Sequence, residues 1–247
     1  RSGTAGFGQA TVVYTILTLL SAFTLSLQIV SSKVVAQQPT LEGKAAVYRG
    51  FHRDGWACGV VVALLLYSCR DAIAGYLNLS DPILIALLAI GAAFYIPLGP
   101  RRGYLQGTYR FRSLAINLVV EGAVRLGGSY ALILAGFGVR GVIAANAAAT
   151  AAAYLGIMPG LAARVPNPLH FSAMFRETSQ AVVFYAGQTL IGNCGIVMVN
   201  HFFIADLAGL YAAVAMVGRV IFTMTSAVVN TTFPLVAGTT PENRRDL

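Results

Sequence analysis

The chain has 247 residues, of which 57% are hydrophobic and only 11% are charged, and it carries a formal net charge of +8. A soluble domain has roughly 25% charged residues, so this composition excludes an ordinary water-soluble globular protein. The positive charge does not indicate nucleic acid binding, because the cations stand at the ends of apolar stretches rather than along one polar face. Lipid head groups are the partner that this charge distribution favours.

Seven apolar runs have, or approach, the length of about 20 residues that a helix needs to cross the hydrocarbon layer of a membrane. The sequence therefore predicts an all-α fold, a polytopic transmembrane helical bundle with about seven helices. The second run is short, and we expect its helix to continue past His52 and Arg53. In chain order the runs cover residues 10–31, 55–69, 82–99, 113–135, 139–161, 179–203 and 208–237.

Most of the lysines and arginines outside the runs stand in alternate connections, namely the first, third and fifth gaps and the C-terminal tail. The other connections and the N-terminus hold only Arg1 and Arg70, and Arg140 stands at the N-terminal edge of the fifth run. This positive-inside pattern predicts a multi-pass protein of the cytoplasmic membrane, with the N-terminus outside and the C-terminus in the cytoplasm. Because nothing upstream carries an external N-terminus across, we expect that at least one preceding helix is missing and that the chain is a fragment.

Two charged residues lie inside the fourth run. Glu121 and Arg125 are four residues apart and therefore share one helix face. Charges within a membrane usually face a bundle interior or an aqueous cavity, so Arg125 is a candidate anion ligand, with Glu121 holding it or exchanging a proton. The same spacing also fits a mutually neutralising pair that only fixes helix packing, and both interpretations stay open.

Further polar candidates lie in the last two runs. Arg219 has no acidic residue within a helical turn, and a guanidinium suits a phosphate, although the side chain could instead reach the outer interface. Asn193 and Asn230 could line the same cavity or serve helix packing. Three scattered histidines and no metal-ligand spacing predict neither a metal site nor a cofactor.

Two groups of short motifs run through the chain. The first group comprises 101–107 (RRGYLQG), Tyr109-Arg110-Phe111, the segment from Glu121 to Arg125, and 136–141. The second comprises Asn200-His201-Phe202-Phe203, 208–213 (AGLYAA), Gly218-Arg219 and Phe233-Pro234. Together they resemble the polysaccharide-biosynthesis membrane proteins, which are lipid-linked oligosaccharide flippases of the multidrug/oligosaccharidyl-lipid/polysaccharide exporter superfamily.

The resemblance implies about 12 to 14 helices in two lobes around a central cavity, as in transporters built from repeats. Residues 1–177 would be most of the first lobe, and residues 178–247 would begin the second. The implied activity is flipping of a polyprenyl-diphosphate-linked oligosaccharide by alternating access, for cell-surface polysaccharide such as O-antigen, with no enzymatic activity. Arg219 and Arg125 are the candidate head-group contacts. Polysaccharide polymerases or glycosyltransferases are the protein partners that the resemblance implies.

Two alternatives fit the sequence less well. A multidrug/cation antiporter of the same superfamily needs acidic residues in the first lobe to bind Na⁺ or H⁺, whereas the one acid within the runs, Glu121, stands beside an arginine. An integral membrane polysaccharide polymerase or ligase needs long external loops with convergent polar groups, and the external connections here are short.

Overall fold

The computed structural model describes residues 4–77, 79, 81–157 and 171–202, together with isolated positions between 211 and 232. Within these residues the chain is helical and contains no strand, which confirms the predicted all-α class. The helices of this part, in chain order, are α1 (Thr4–Ala36), α2 (Leu41–Ser68), α3 (Arg70–Tyr76), α4 (Ile83–Gly107), α5 (Phe111–Leu134), α6 (Gly138–Gly156) and α7 (Phe171–Phe202).

The first six predicted runs each coincide with a helix. The short second run is the C-terminal part of α2, which extends back to Leu41 as expected, and α3 follows it after a bend of 64°. The third run is shorter than α4, because the helix continues through Pro97 and Pro100 to Gly107. The predicted end of the third run at residue 99 is therefore eight residues too early. Of the seventh run, 208–237, the structure describes isolated positions between 211 and 232, and these are helical.

Several helices are long and apolar enough to cross a membrane, which makes this chain a membrane protein. They are Ile16–Ala36 within α1, the whole of α4 and the whole of α5, and the bent pair α2–α3 is a fourth when it counts as one span. The two-lobed architecture stays a prediction, and its boundary between residues 177 and 178 falls inside α7.

The centre of the bundle is α4, which packs against α1, α2 and α6. Helices α1 and α6 run parallel to α4 and α2 runs antiparallel, while α5 packs mainly on α6 and α7 on α1. One end of the bundle therefore collects the C-termini of α1, α4 and α6 and the N-termini of α2 and α5. We call it the basic end, because the arginines of the α4–α5 region and of early α2 lie there.

Helices α1 and α4 approach each other closely because glycines line the contact. A Cβ on Gly99 would lie 2.5 Å from the Thr24 carbonyl oxygen, and one on Gly107 would lie 2.5 Å from the Ser32 carbonyl oxygen. Membrane helices lack a hydrophobic driving force against lipid, so close backbone approach and van der Waals packing must hold them together. The glycines recur every fourth residue, at Gly99, Gly103 and Gly107.

Helix α2 covers the part of α4 in which proline interrupts the hydrogen bonds. Pro97 has no N–H to donate to the Ala93 carbonyl. Gly59 of α2 faces this position, and a Cβ there would lie 3.0 Å from the Ala93 carbonyl oxygen and 3.1 Å from Pro97 Cδ. Gly55 lies one turn earlier in α2 and fits against Pro100 in the same way. The two glycines let α2 pack directly on the proline section of α4.

The connection from α4 to α5 is a Schellman turn. The Tyr109 N–H donates to the Gln106 carbonyl at 3.1 Å and the Arg110 N–H donates to the Leu105 carbonyl at 2.8 Å. The motif requires a left-handed residue after the helix cap, and Tyr109 takes that place with φ +57°. The α5–α6 connection has the same turn, with Gly136 at φ +89°.

We expect Tyr109→Gly to stabilise the folded chain by up to about 1 kcal/mol, because a left-handed backbone is costly for a residue with a Cβ and free for glycine. The measurement is the thermal midpoint of the purified chain in detergent. Gly136→Ala is the matched control at the same turn position and should lower that midpoint. A Tyr109→Gly midpoint at or below the wild-type value would contradict the expected strain.

Candidate functional site

Helix α5 lies at the periphery of the described bundle and exposes most of its apolar side chains. Its two buried residues are both polar, Asn117 and Glu121. With Arg125 they form a stripe of polar residues four apart, which places all three on one helix face. Glu121 is ten residues from the first residue of α5, or about 15 Å along the helix, so the stripe lies near the middle of the candidate span.

Glu121 is shared by two arginines from different helices. Its Oε2 accepts a hydrogen bond from Nη2 of Arg102 on α4, and its Oε1 accepts one from Nη2 of Arg125 on α5. The Arg102 and Glu121 side chains are 7% and 8% exposed, whereas Arg125 is 33% exposed. We refer to Arg102, Glu121 and Arg125 as the triad.

Arg102 is the fixed member of the triad. Its Nε donates to Oδ1 of Asn117 at 2.9 Å, and Nδ2 of Asn117 donates to the Ala153 carbonyl at 2.7 Å. This chain of hydrogen bonds joins α4, α5 and α6 at one level of the bundle. Two residues of α5, Asn117 and Glu121, therefore bind the Arg102 guanidinium.

Arg125 is the less constrained member. In the described structure its guanidinium contacts Glu121 through one nitrogen, and its buried Nε has no hydrogen-bond partner. The Tyr95 side chain of α4 lies within electrostatic range of all three triad members. Arginine does not deprotonate in proteins, so two arginines and one carboxylate leave the ionised triad with one excess positive charge.

The predicted site residues are only partly placed by this structure. Glu121 and Arg125 are in contact, but the interpretation as a self-neutralising pair is incomplete, because Arg102 adds a second cation. Asn193 lies on α7 at a position whose side chain is outside the described structure. Arg219 and Asn230 lie outside the described residues.

Sequence reasoning missed Arg102 and Asn117. The sequence pattern places Arg102 in a basic connection, because the apolar run ends at the α4 prolines. Asn117 was overlooked, although its place one turn before Glu121 in an apolar run was a usable signal. Among the described residues no cluster of three or more histidines, cysteines or acids could hold a metal ion.

Fold and site together define a helical membrane protein with a positively charged polar triad inside its bundle. Comparison with family models, with curated proteins and with solved structures finds no match for this chain. A functional proposal must therefore rest on the chemistry of the residues.

Proposed function

We propose that this chain is part of a transporter that flips a polyprenyl-diphosphate-linked oligosaccharide across the cytoplasmic membrane for cell-surface polysaccharide assembly. Transport would proceed by alternating access, with the basic end of the bundle facing the cytoplasm. The observation that carries the proposal is the excess positive charge of the triad. The positive-inside pattern and the motif resemblance support the proposed orientation and cargo.

An excess charge inside a membrane bundle is costly, and such charges commonly mark the path of a substrate or ion. Helix packing alone would be served by a neutral pair, whereas the triad has one guanidinium charge that no carboxylate of the described structure compensates. A diphosphate head group supplies the missing negative charge and offers several acceptor oxygens to a planar guanidinium. Arg125 suits this role because it is partly exposed and has an unused Nε donor.

The triad also bears on the alternatives. Both carboxylate oxygens of Glu121 accept from arginines, so this acid is poorly placed to bind Na⁺ or a cationic drug, as a multidrug/cation antiporter requires. The engaged carboxylate is equally ill-suited as the general base or the nucleophile of a polysaccharide polymerase or ligase. Anion transport is the activity that this charge distribution favours.

We expect Arg125→Gln to weaken binding of a polyprenyl diphosphate by about tenfold or more, since each 1.4 kcal/mol is a factor of ten and a charge-assisted hydrogen bond contributes about that much. The measurement is the rise in thermal midpoint of the full chain in detergent as the lipid is titrated. Arg112→Gln is the matched control, because it removes the same charge from an exposed side chain in the first turn of α5.

Neutral polyprenol serves as the ligand control and should leave the midpoint unchanged. Equal diphosphate affinity in the wild type and Arg125→Gln, or equal affinity for polyprenol and polyprenyl diphosphate, would contradict the proposal. Flipping itself would then be measured in proteoliposomes with a fluorescent polyprenyl diphosphate. The transporter that contains this chain should move the lipid, and its Arg125→Gln variant should not.

A further inference from the structure

A second polar cluster lies at the basic end, where α2, α4 and α6 meet, and the proposed transport does not use it. At its centre is the hydroxyl of Tyr154 on α6. Nε1 of Trp56 on α2 donates to this hydroxyl at 2.8 Å, and Nε2 of His52, one turn earlier on α2, lies 2.8 Å from it. These two hydrogen bonds are the polar contacts that the described structure gives the Tyr154 hydroxyl.

Counting protons assigns the donor in the His52 contact. An indole N–H can only donate, so Trp56 occupies a lone pair of the Tyr154 oxygen. If the hydroxyl donates its own proton to Nε2 of His52, every polar atom in the contact has a partner. If Nε2 carried a proton instead, the hydroxyl would accept twice and its own proton would lack an acceptor. The arrangement therefore favours a neutral His52 with its proton on Nδ1.

The charges around His52 also favour its neutral form. The Arg101 guanidinium of α4 lies 3.5 Å above the Tyr154 ring, and its Nη1 donates to the Tyr154 and Ile157 carbonyls at the end of α6. The acid nearest along the helix, Asp54, pairs with Arg53. The other titratable groups that face the cluster are phenols, Tyr48 from α2, Tyr104 from α4 and Tyr154 from α6. Among the residues that the structure describes, an imidazolium here would meet a cation and no free carboxylate.

We propose that His52 is a proton-binding site that controls the contact between α2 and α6. With His52 neutral, the Tyr154 hydroxyl donates to Nε2 and the helices stay joined. When a proton binds, Nε2 becomes a donor, the hydroxyl cannot donate to it, and the contact opens. The direction of the pH dependence follows from linkage. The contact is present above the pH at which His52 binds its proton, and it is lost as the pH falls through that value. This site does not depend on what the chain transports.

The single tryptophan of the chain makes the site directly observable, because Trp56 is the residue that shares the Tyr154 hydroxyl with His52. We would follow the fluorescence of the full chain in detergent from pH 8 to pH 3. The wild type should show one transition in which the emission maximum shifts to longer wavelength, because the indole loses its contact with Tyr154. His52→Gln should abolish this transition. His170→Gln and His201→Gln, which change the other two histidines, are the matched controls and should retain it.

A second variant keeps the test decisive if His52→Gln does not fold. Tyr154→Phe removes the hydroxyl that stabilises neutral His52, so the transition should move to higher pH. The proposal is overturned if the wild type shows no transition, if His52→Gln retains it, or if Tyr154→Phe leaves its midpoint unchanged. Quenching with an unchanged emission maximum would also overturn it, because the proton would then bind without opening the contact.

Discussion

Glu121→Gln should cost the bundle about 3 to 5 kcal/mol of stability, because removing one partner of a buried ion cluster leaves uncompensated charge. The loss should be at the upper end of that range, since Arg102 is 7% exposed and loses the charged partner that the described structure gives it. Unfolding in mixed micelles of mild and denaturing detergent would measure the change in the free energy of unfolding. A loss below about 1 kcal/mol, the value typical of an exposed ion pair, would contradict a buried triad.

Two double variants separate the arginines as matched controls. Glu121→Gln combined with Arg102→Gln should recover part of the loss, because the remaining Arg125 is 33% exposed and can reach water. Glu121→Gln combined with Arg125→Gln should recover less, because Arg102 stays buried without a counter-ion. Equal recovery in both double variants would mean that the two arginines share the same environment, contrary to their exposure.

Gly103→Ala should destabilise the contact between α1 and α4 by about 1 to 3 kcal/mol, the usual cost of adding volume to a well-packed interface. The added Cβ would overlap the Ser31 hydroxyl and lie 2.5 Å from the Gln28 carbonyl oxygen, which is backbone and cannot rotate away. The measurement is the thermal midpoint in detergent.

Gly127→Ala on α5 is the matched control, because a Cβ there meets no atom within 4 Å. The control should be neutral or slightly stabilising, since alanine favours helix over glycine. Equal midpoints for the two variants would argue against close α1–α4 packing.

The helices could be predicted from the sequence because the length of an apolar run reports directly on the length of a membrane span. The end of α4 could not, because Pro97, Pro100 and the following arginines look like a helix end when read locally. In the fold, α2 covers the prolines through Gly55 and Gly59. This is a tertiary contact, and no local sequence pattern in α4 predicts it.

Only part of the candidate site could be predicted from the sequence. The spacing of Glu121 and Arg125 places them together, because both stand on one helix. Arg102 stands 19 residues before Glu121 on another helix, and only the folded α4–α5–α6 arrangement brings the two together. The hydrogen bond from Trp56 to Tyr154 spans 98 positions in the chain and was likewise beyond sequence reasoning.

The uneven charge of the triad has an electrical consequence. Because its arginines do not titrate, the cluster stays positive at any pH, and protonation of Glu121 would only increase that charge. Within a membrane, such a charge experiences the transmembrane voltage. When α4 and α5 move together along the membrane normal, the excess charge of the triad moves through that voltage, which involves electrical work of up to about 2.3 kcal/mol per 100 mV for a full crossing. An anion neutralising the triad would abolish that work, so the loaded and empty forms would differ in their response to voltage.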